Sequence, residues 1–340
     1  MKRFLMLVIA MLFSSPVMLA AGPGLHVIKS AKLGGEGGWD YLKIDPDSRR
    51  LFISRATHVL VIDADSLKPV GDIPDTQGVH GIALAPELGR GFTSNGREGT
   101  VTIFDLKTLE VVSKVKDVGE NPDAILYDSG SKRVFTFNGR SHDATAIDPK
   151  AGAVIGKIAL EGKPEFAVST GAGEVFVNIE DKSEIAALDP KQLKVKSRWS
   201  LAPCEGPSGL AMDVQNRRLF AGCGNKMMAV VNADTGKVIT TLPIGQGVDA
   251  NRFDPDTHLA FASCGDGSLT VVREESADKF SVAETVPTER GARTMALDRK
   301  THQVFLVTAK FGPPPAATPE QPRPRPPILP DTFEVLVVGK

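Results

Sequence analysis

Short apolar runs separated by polar turns recur along the chain, and each run contains a phenylalanine. In Asp213–Asn225 the polar letters QNRR precede the apolar run LFAGC around Phe220. Six other phenylalanines stand at the same place in similar segments: Phe52, Phe92, Phe135, Phe176, Phe261 and Phe305. The seven are separated by 40, 43, 41, 44, 41 and 44 residues. Seven such units, each with several short strands, predict an all-β, seven-bladed β-propeller with four-stranded antiparallel blades.

The second unit shows how one repeat divides into four strands. Its strand-like runs are His80–Ala85, Gly91–Ser94, Val101–Phe104 and Glu110–Val115. The last two are separated by an Asp-led tight turn, in which a side-chain oxygen accepts backbone N–H groups. Many strands are apolar on both faces, as expected for sheets that stack face to face.

The two ends of the chain complement each other. Leu25–Leu33 resembles a fourth strand that lacks its first three, and residues 333–340 resemble a third strand followed by nothing. We expect residues 25–32 to pair with residues 333–338, which completes the seventh blade and removes an exposed sheet edge. Residues 22–340 then form one domain.

Residues 1–21 have the pattern of a signal peptide. Lys2 and Arg3 precede the apolar run Phe4–Phe13, which is too short to span a bilayer, and small residues at Ala20 and Ala21 offer a cleavage site. The alternative is a short membrane anchor. Cleavage would leave no transmembrane span and an exported protein, periplasmic or secreted, that folds where disulfides form.

Composition and net charge limit the classes of binding partner to be expected. The chain has 340 residues, of which 41% are apolar and 24% charged, as in soluble globular proteins. The formal charge is −1, and loss of Lys2 and Arg3 makes it −3, so no nucleic-acid partner is expected. Motifs for zinc peptidases, serine hydrolases, phosphate loops, dinucleotide binding and c-type haem are all missing. We therefore assign no catalytic residue. Separately, we expect the protein to be a monomer.

One segment interrupts the repeat. Residues 312–331 lie between the second and third strands of the last unit, and half of residues 313–330 are proline. Such a run cannot join a sheet ladder and favours polyproline II. It is either a surface insertion, or a docking segment or lid over the channel mouth.

Seven aligned positions predict a ligand site. Each follows a Gly- or Pro-containing turn at the entry to the first strand of its unit: Asp40, His80, Asp123, Glu165, Ser208, Asp249 and Arg293. Because the first strand of each blade lines the central channel, these side chains should ring one mouth and share one water-accessible concavity. Period-2 alternation then places Leu42, Ile82 and Ile125 deeper in the channel. Crowded carboxylates should perturb one another's pKa values.

Loops after the second strands should open on the same face and add Asn138 and Asn225 to the site. Carboxylate and amide oxygens suit a hard cation such as Ca²⁺. Three interpretations stay open: a wet mouth with solvated polar residues, a site for a small molecule or peptide, and a metal-dependent hydrolase site. No cofactor is assigned beyond that divalent cation.

Three cysteines allow three pairings, each with one thiol left over. Cys223 and Cys264 occupy equivalent sites in adjacent blades, and so should be too far apart to bridge. Cys204 enters the fifth blade on the face where Cys223 ends its strand. We therefore expect a Cys204–Cys223 disulfide. The alternative is a catalytic or metal-binding thiol.

The chain resembles the YncE-like, YVTN-type seven-bladed propellers of bacteria. The resemblance rests on CEGPSGLAMDVQNRRLFAGCGNKMMAVVNADTGKV from Cys204, GQGVDANRFDPDT from Gly245 and RGARTMALDRKTHQVF from Arg290. It implies a secreted or periplasmic propeller, usually without an assigned reaction. Our expectation is a non-catalytic propeller that binds a small ligand or a cell-envelope protein at its mouth. The alternative is a metal-dependent, lactonase-like hydrolase with its site there, since related propellers include lactonases.

Overall fold

The fold is a ring of seven four-stranded antiparallel sheets, seen in a computed structural model that describes residues 22–318 and 324–340. The predicted signal peptide, residues 1–21, lies outside the described residues. In six blades the strands follow one another in chain order from the channel outward. Apart from two 3-10 turns, Pro86–Leu88 and Glu180–Lys182, the described residues contain no helix. The predicted seven-bladed propeller is confirmed.

The strands in chain order are β1 (His26–Lys32), β2 (Leu42–Asp45), β3 (Arg50–Arg55), β4 (His58–Asp63), β5 (Pro69–Ile73), β6 (Val79–Ala85), β7 (Arg90–Asn95), β8 (Thr100–Asp105), β9 (Val111–Val115), β10 (Pro122–Asp128), β11 (Arg133–Asn138), β12 (Asp143–Asp148), β13 (Ala153–Ala159), β14 (Pro164–Ser169), β15 (Val175–Ile179), β16 (Glu184–Asp189), β17 (Lys194–Ser200), β18 (Pro207–Asp213), β19 (Arg218–Cys223), β20 (Met227–Asn232), β21 (Val238–Pro243), β22 (Val248–Asp254), β23 (Leu259–Cys264), β24 (Ser268–Ser276), β25 (Lys279–Pro287), β26 (Met295–Asp298), β27 (Gln303–Thr308) and β28 (Glu334–Gly339). Blade 1 is β2–β5, blades 2 to 6 each take the next four strands, and blade 7 consists of β26–β28 and β1.

Blade 7 is closed by the two ends of the chain, as predicted. Its order is β26-β27-β28-β1, and His26 pairs with Gly339 at one end of the ladder while Lys32 pairs with Glu334 at the other. Leu33 N–H then donates to Phe333 O at 2.8 Å. The N-terminal strand therefore covers what would otherwise be the outer edge of β28.

The repeated phenylalanines form the packing between blades. All seven are buried on the second strands of their sheets. Phe52 contacts Phe104 of the next blade with ring centroids 5.8 Å apart, and Phe220 stacks on Phe253 at 5.2 Å. Each aromatic side chain removes a large apolar surface from water at the joint between two sheets. The repeat is thus the signature of the inter-blade core.

The predicted disulfide is present. Cys204 and Cys223 are bonded, with their Cα atoms 5.8 Å apart. Cys264 is a buried free thiol, and burial raises its pKa to about 12.

The Asp-led turns also form as expected. In blade 2 the Asp105 carboxylate accepts the N–H groups of Lys107 and Thr108, both at 2.8 Å.

The proline-rich insertion is anchored at its base. Phe311 and Ile328 form an isolated bridge, Gly312 N–H donates to Pro327 O at 2.9 Å, and Leu329 N–H donates to Lys310 O at 2.9 Å. The described parts of the insertion therefore fold back on themselves beside blade 7. Residues 22–318 and 324–340 contain no helix with the length and apolar character needed to cross a membrane.

Candidate functional site

The turn before each first strand sets the height of the predicted site residues. In blade 2, Gly78 adopts a φ of 69°, and its carbonyl accepts Gly96 N–H at 2.8 Å. The same bond joins Gly247 to Gly265 in blade 6 at 2.9 Å. This left-handed conformation favours glycine, which explains the Gly-containing turns in the sequence. A repeated turn delivers the side chain two residues later to the same end of every blade.

Buried polar side chains on second strands hold the neighbouring blade at this level. Asn178 donates to the backbone carbonyl of Ser208 at 2.9 Å, and Ser263 donates to that of Arg293 at 2.5 Å. Ser94 bonds the carbonyl of Asp123 in the same way. The backbone at three of the predicted site positions is therefore fixed from the adjacent blade.

Six of the seven predicted residues form one series of contacts. Ser208 Oγ donates to Asp249 Oδ1 at 2.9 Å, and Asp249 pairs with Arg293. Arg293 also reaches Asp40, with Nη2 to Oδ1 at 3.8 Å. We use the name mouth ring for the seven predicted residues: Asp40, His80, Asp123, Glu165, Ser208, Asp249 and Arg293. The expected convergence is present.

His80 completes the series between two carboxylates. Its Nδ1–H donates to Asp40 Oδ2 at 2.6 Å and lies 3.7 Å from Asp123 Oδ1. The His80 side chain is 28% exposed, and those of Asp40 and Asp123 are 18% and 15% exposed. The group is thus half enclosed and still reachable by water.

Glu165 is neutralised by a lysine that the sequence analysis did not select. Lys163 Nζ lies 2.7 Å from Glu165 Oε1 and also pairs with Glu180. Lys163 stands two residues before Glu165, where most other units have glycine. That departure from the repeat was the available signal.

Burial and neighbouring charges shift three pKa values in the mouth ring. Burial alone would lower the pKa of His80, but its hydrogen bond to Asp40 and the nearby carboxylate charges raise it to about 9. Burial raises the pKa of Asp123 to about 6 against the opposing effect of His80. Burial and the charge of Asp123 raise the pKa of Glu165 to about 7, although Lys163 opposes the rise. The pKa values of Asp123 and Glu165 are thus raised toward neutral pH.

Asn138 does not lie at the mouth, in contrast to the expectation. It is fully buried, and its Nδ2 donates to Val118 O at 2.7 Å and to Asp143 Oδ1 at 2.6 Å. A buried amide needs such partners, so it turns into the blade. Asn225 braces the loop that precedes blade 5: its Nδ2 donates to Pro203 O at 2.9 Å. We leave both out of the proposed site.

A cleft of about 520 Å³ adjoins the mouth ring and shares Asp249 and Arg293 with it. Its aromatic wall is Trp39 and Phe311, with ring centroids 6.1 Å apart. The base of the proline-rich insertion adds Arg325 from the other side. The mouth is therefore a concave pocket with one aromatic wall as well as a ring of charges.

Two aromatic rings lie beneath the mouth ring. Tyr41 is 5% exposed and meets Phe166 edge to face, with centroids 5.2 Å apart. Burial and the charges of Asp123, Asp40 and Glu165 hold the pKa of Tyr41 well above its usual value. On the other side of these rings is a cavity lined by Leu42, Ile82 and Ile125, as the alternation predicted.

Asp40, His80 and Asp123 also have the geometry of a metal cluster. One ligand atom from each lies within 4.8 Å of the others. Two carboxylates and an imidazole are a reasonable donor set for a divalent ion. His80 Nδ1 donates to Asp40, however, so a cation bound at Nδ1 would have to displace that proton.

Comparison with known proteins identifies the fold and nothing finer. No family model matches the chain, and no curated protein matches its sequence. Among solved structures, the chain is similar to one from the hydrazine synthase of Kuenenia stuttgartiensis, with a TM-score of 0.68. The match covers 79% of this chain and 92% of that chain at 15% identity. At this identity the likeness shows the propeller fold alone.

Proposed function

We propose that the protein is an exported, non-catalytic propeller of the YncE-like type, which binds a small ligand at the mouth ring and its adjoining cleft. The observation that carries the proposal is the convergence of charged side chains from separate blades into one concave, water-accessible site. Concave sites with a few converging polar groups are the usual places for ligand binding. The disulfide supports an oxidising compartment, periplasmic or extracellular.

The charge pattern favours a ligand that carries both signs. Asp123 and Glu165 present carboxyl groups on one side of the mouth, and Arg290 and Arg325 line the cleft on the other. Among the described residues neither Arg325 nor the side chain of Arg290 has an ion-pair partner. A free amino acid or a short peptide would place its ammonium group by the carboxylates and its carboxylate by the arginines.

The test uses thermal-shift screening and calorimetry with free amino acids and dipeptides. Each hit is compared with its N-acetylated and C-amidated forms, which remove one charge each. Binding to the wild-type protein that weakens with either modification supports the proposal. If no compound binds, or if the blocked forms bind as tightly as the free ones, a zwitterion site at the mouth is refuted. Binding of an envelope protein with no small-molecule hit would point to a macromolecular partner instead.

The second candidate is a metal-dependent, lactonase-like hydrolase. The specific observation in its favour is the Asp40–His80–Asp123 cluster. A bound divalent ion would polarise a lactone carbonyl. The three side chains would hold the ion, and Glu165, with its pKa raised to about 7, would exchange a proton nearby. Elemental analysis and lactone hydrolysis, each compared between wild type and Asp40→Asn, decide between the candidates.

A further inference from the structure

The channel on the far side of Tyr41 and Phe166 differs in charge from the mouth. It holds a cavity of about 380 Å³, within the range of small-ligand pockets. Residues from the ends of the first strands, such as Tyr127 and Ser169, line it. It therefore opens at the end of the propeller opposite the mouth ring.

All the charged side chains that line this cavity are cationic. They are Lys43, Arg252 and Arg299. Over residues 22–318 and 324–340, none of the three has a carboxylate at ion-pair distance. The carboxylate with a resolved effect is Asp45, which raises the pKa of Lys43 by less than Arg252 lowers it. Lys43 and Arg299 are exposed and Arg252 is half-buried, so water solvates part of this charge. An anion placed among the three would be attracted by all of them.

Arg252 is held so that its charge stays in the channel. Its Nη1 donates to Asn251 O at 2.7 Å, and its guanidinium lies 4.7 Å from the centroid of Phe166. Burial lowers its pKa to about 10. The group stays protonated at neutral pH, and its side chain lines the cavity.

Lys43 lies near enough to Arg252 for the two charges to interact. Lys43 is exposed to solvent, and its side chain lines the channel cavity. Burial, followed by the charge of Arg252, lowers the pKa of Lys43 to about 8. An anion placed between the two would relieve this repulsion and favour the protonated amine.

Most of the other side chains that line the cavity are apolar. Leu42, Ile82, Ile125 and Leu210 form its walls, and Phe166 closes its inner end. A fully hydrated inorganic ion would leave these walls without a partner. An anion with an apolar body would fill both parts of the cavity.

We infer that the channel is a second ligand site, separate from the mouth ring, that takes a small organic anion such as a carboxylate with an apolar tail. Lys43 and Arg252 would bind its charged group, Arg299 would attract it at the opening, and the apolar walls would receive the tail. This inference does not depend on the proposed function of the mouth.

Calorimetry with three probes of one skeleton tests the charge preference. These are 4-phenylbutyrate, 4-phenylbutanamide and 4-phenylbutylamine, with hexanoate as a second anion. We expect the two anions to bind the wild-type protein at millimolar concentration or below, and the amine not to bind. Failure of both anions, or equal binding of the amine, overturns the inference.

Variants locate the binding. Lys43→Met and Arg252→Met should each weaken 4-phenylbutyrate binding by about tenfold or more, because each removes one charge from a partly enclosed site. Lys43→Arg and Arg252→Lys keep the charge and should retain most of the affinity. Lys150→Met, which makes the same charge change in an exposed turn, is the matched control. Unchanged binding in both methionine variants overturns the inference.

Two further readouts separate this site from the mouth. The double variant Asp123→Ala/Asp249→Ala should bind 4-phenylbutyrate as the wild type does, whatever becomes of the mouth ligand. NMR of ¹³C-dimethylated Lys43 should show its pKa rise when the anion binds, and affinity should fall as pH rises through about 8. If the pKa of Lys43 does not change when the anion is added, the proposed position of the anion beside Lys43 is contradicted.

Discussion

His80 Nδ1 donates a hydrogen bond to Asp40 Oδ2 at 2.6 Å, which joins blades 1 and 2 at the mouth. The two residues are 40 positions apart in the chain, one repeat length. Each starts the channel-lining strand of its blade, so a repeated turn brings two otherwise distant groups together. The propeller thus converts equivalent sequence positions into neighbours.

The His80–Asp40 pair should make stability depend on pH. The pKa of His80 is about 9 in the fold against an ordinary 6.5, so its contribution is complete below pH 6.5 and is lost as pH rises to about 9. Asp40→Asn should lower the free energy of unfolding by on the order of 1 to 3 kcal/mol below pH 6.5, and by little above pH 9. Urea unfolding over that range measures it.

The matched control is Asp72→Asn. Asp72 lies 3.5 Å from His58 in a pair whose side chains are 47% and 33% exposed. An exposed pair contributes little, so this variant should unfold almost as the wild type does. If Asp40→Asn behaves like Asp72→Asn at every pH, the mouth pair has no special role.

Glu165→Gln should alter stability in a lower pH window. Burial raises the pKa of Glu165 to about 7 from an ordinary 4.5, so the stability that its proton provides is present below pH 4.5 and is lost as pH rises to about 7. Glutamine keeps the neutral shape, and the variant should therefore show a flatter decline over this window. Thermal unfolding at a series of pH values measures the slope.

Glu174→Gln offers a control of opposite sign. Burial of Glu174 is outweighed by hydrogen bonds from Lys196 and Arg217, which hold its pKa below the usual value. Its contribution is present above the ordinary pKa, so its replacement should destabilise the protein at neutral pH. If Glu165→Gln and Glu174→Gln change the stability at neutral pH in the same direction, the assigned pKa shifts are contradicted.

The disulfide should stabilise the entry to blade 5. It closes a loop between residues 19 apart, which in the chain-entropy treatment contributes about 3 kcal/mol. Cys204→Ala/Cys223→Ala should lose about that much in guanidinium unfolding. Non-reducing peptide mapping should recover the Cys204–Cys223 pair, and recovery of Cys223–Cys264 would refute the pairing.

Removal of β1 should destabilise the whole ring. A chain that begins at Gly34 leaves the outer edge of β28 unpaired, whereas a chain that begins at Leu25 keeps the full ladder with residues 334–339. We expect the shorter chain to melt at a clearly lower temperature or to aggregate. Equal melting temperatures for the two chains would show that closure contributes nothing.

The fold could be predicted from the sequence because every blade needs the same packing residue and the same turn, and these recur as a repeat. A phenylalanine such as Phe220 is needed at every joint between blades, and a tight turn is needed before every first strand. Those two constraints recur in every unit and can be read without a structure. They located the mouth ring, and the last strand's missing partner located the closure.

The details of the site depend on contacts that no repeat encodes. Asn138 stands where a loop residue was expected, yet the demand of a buried amide for partners turns it inward. The cationic channel was not predicted because the alternation was followed only to the residue two positions after each site residue. Lys43 and Arg252 lie three positions after Asp40 and Asp249. The cleft beside the mouth depends on how the insertion folds back at Phe311.

The most direct test of the account measures where a mouth ligand binds. Calorimetry with the best amino acid or dipeptide from the screen is run on wild type, on Asp123→Ala/Asp249→Ala and on Lys43→Met. We predict that the double variant loses binding while its fold and melting transition remain, and that Lys43→Met binds as the wild type does. Unchanged affinity in the double variant would contradict the claim that the mouth ring is the ligand site.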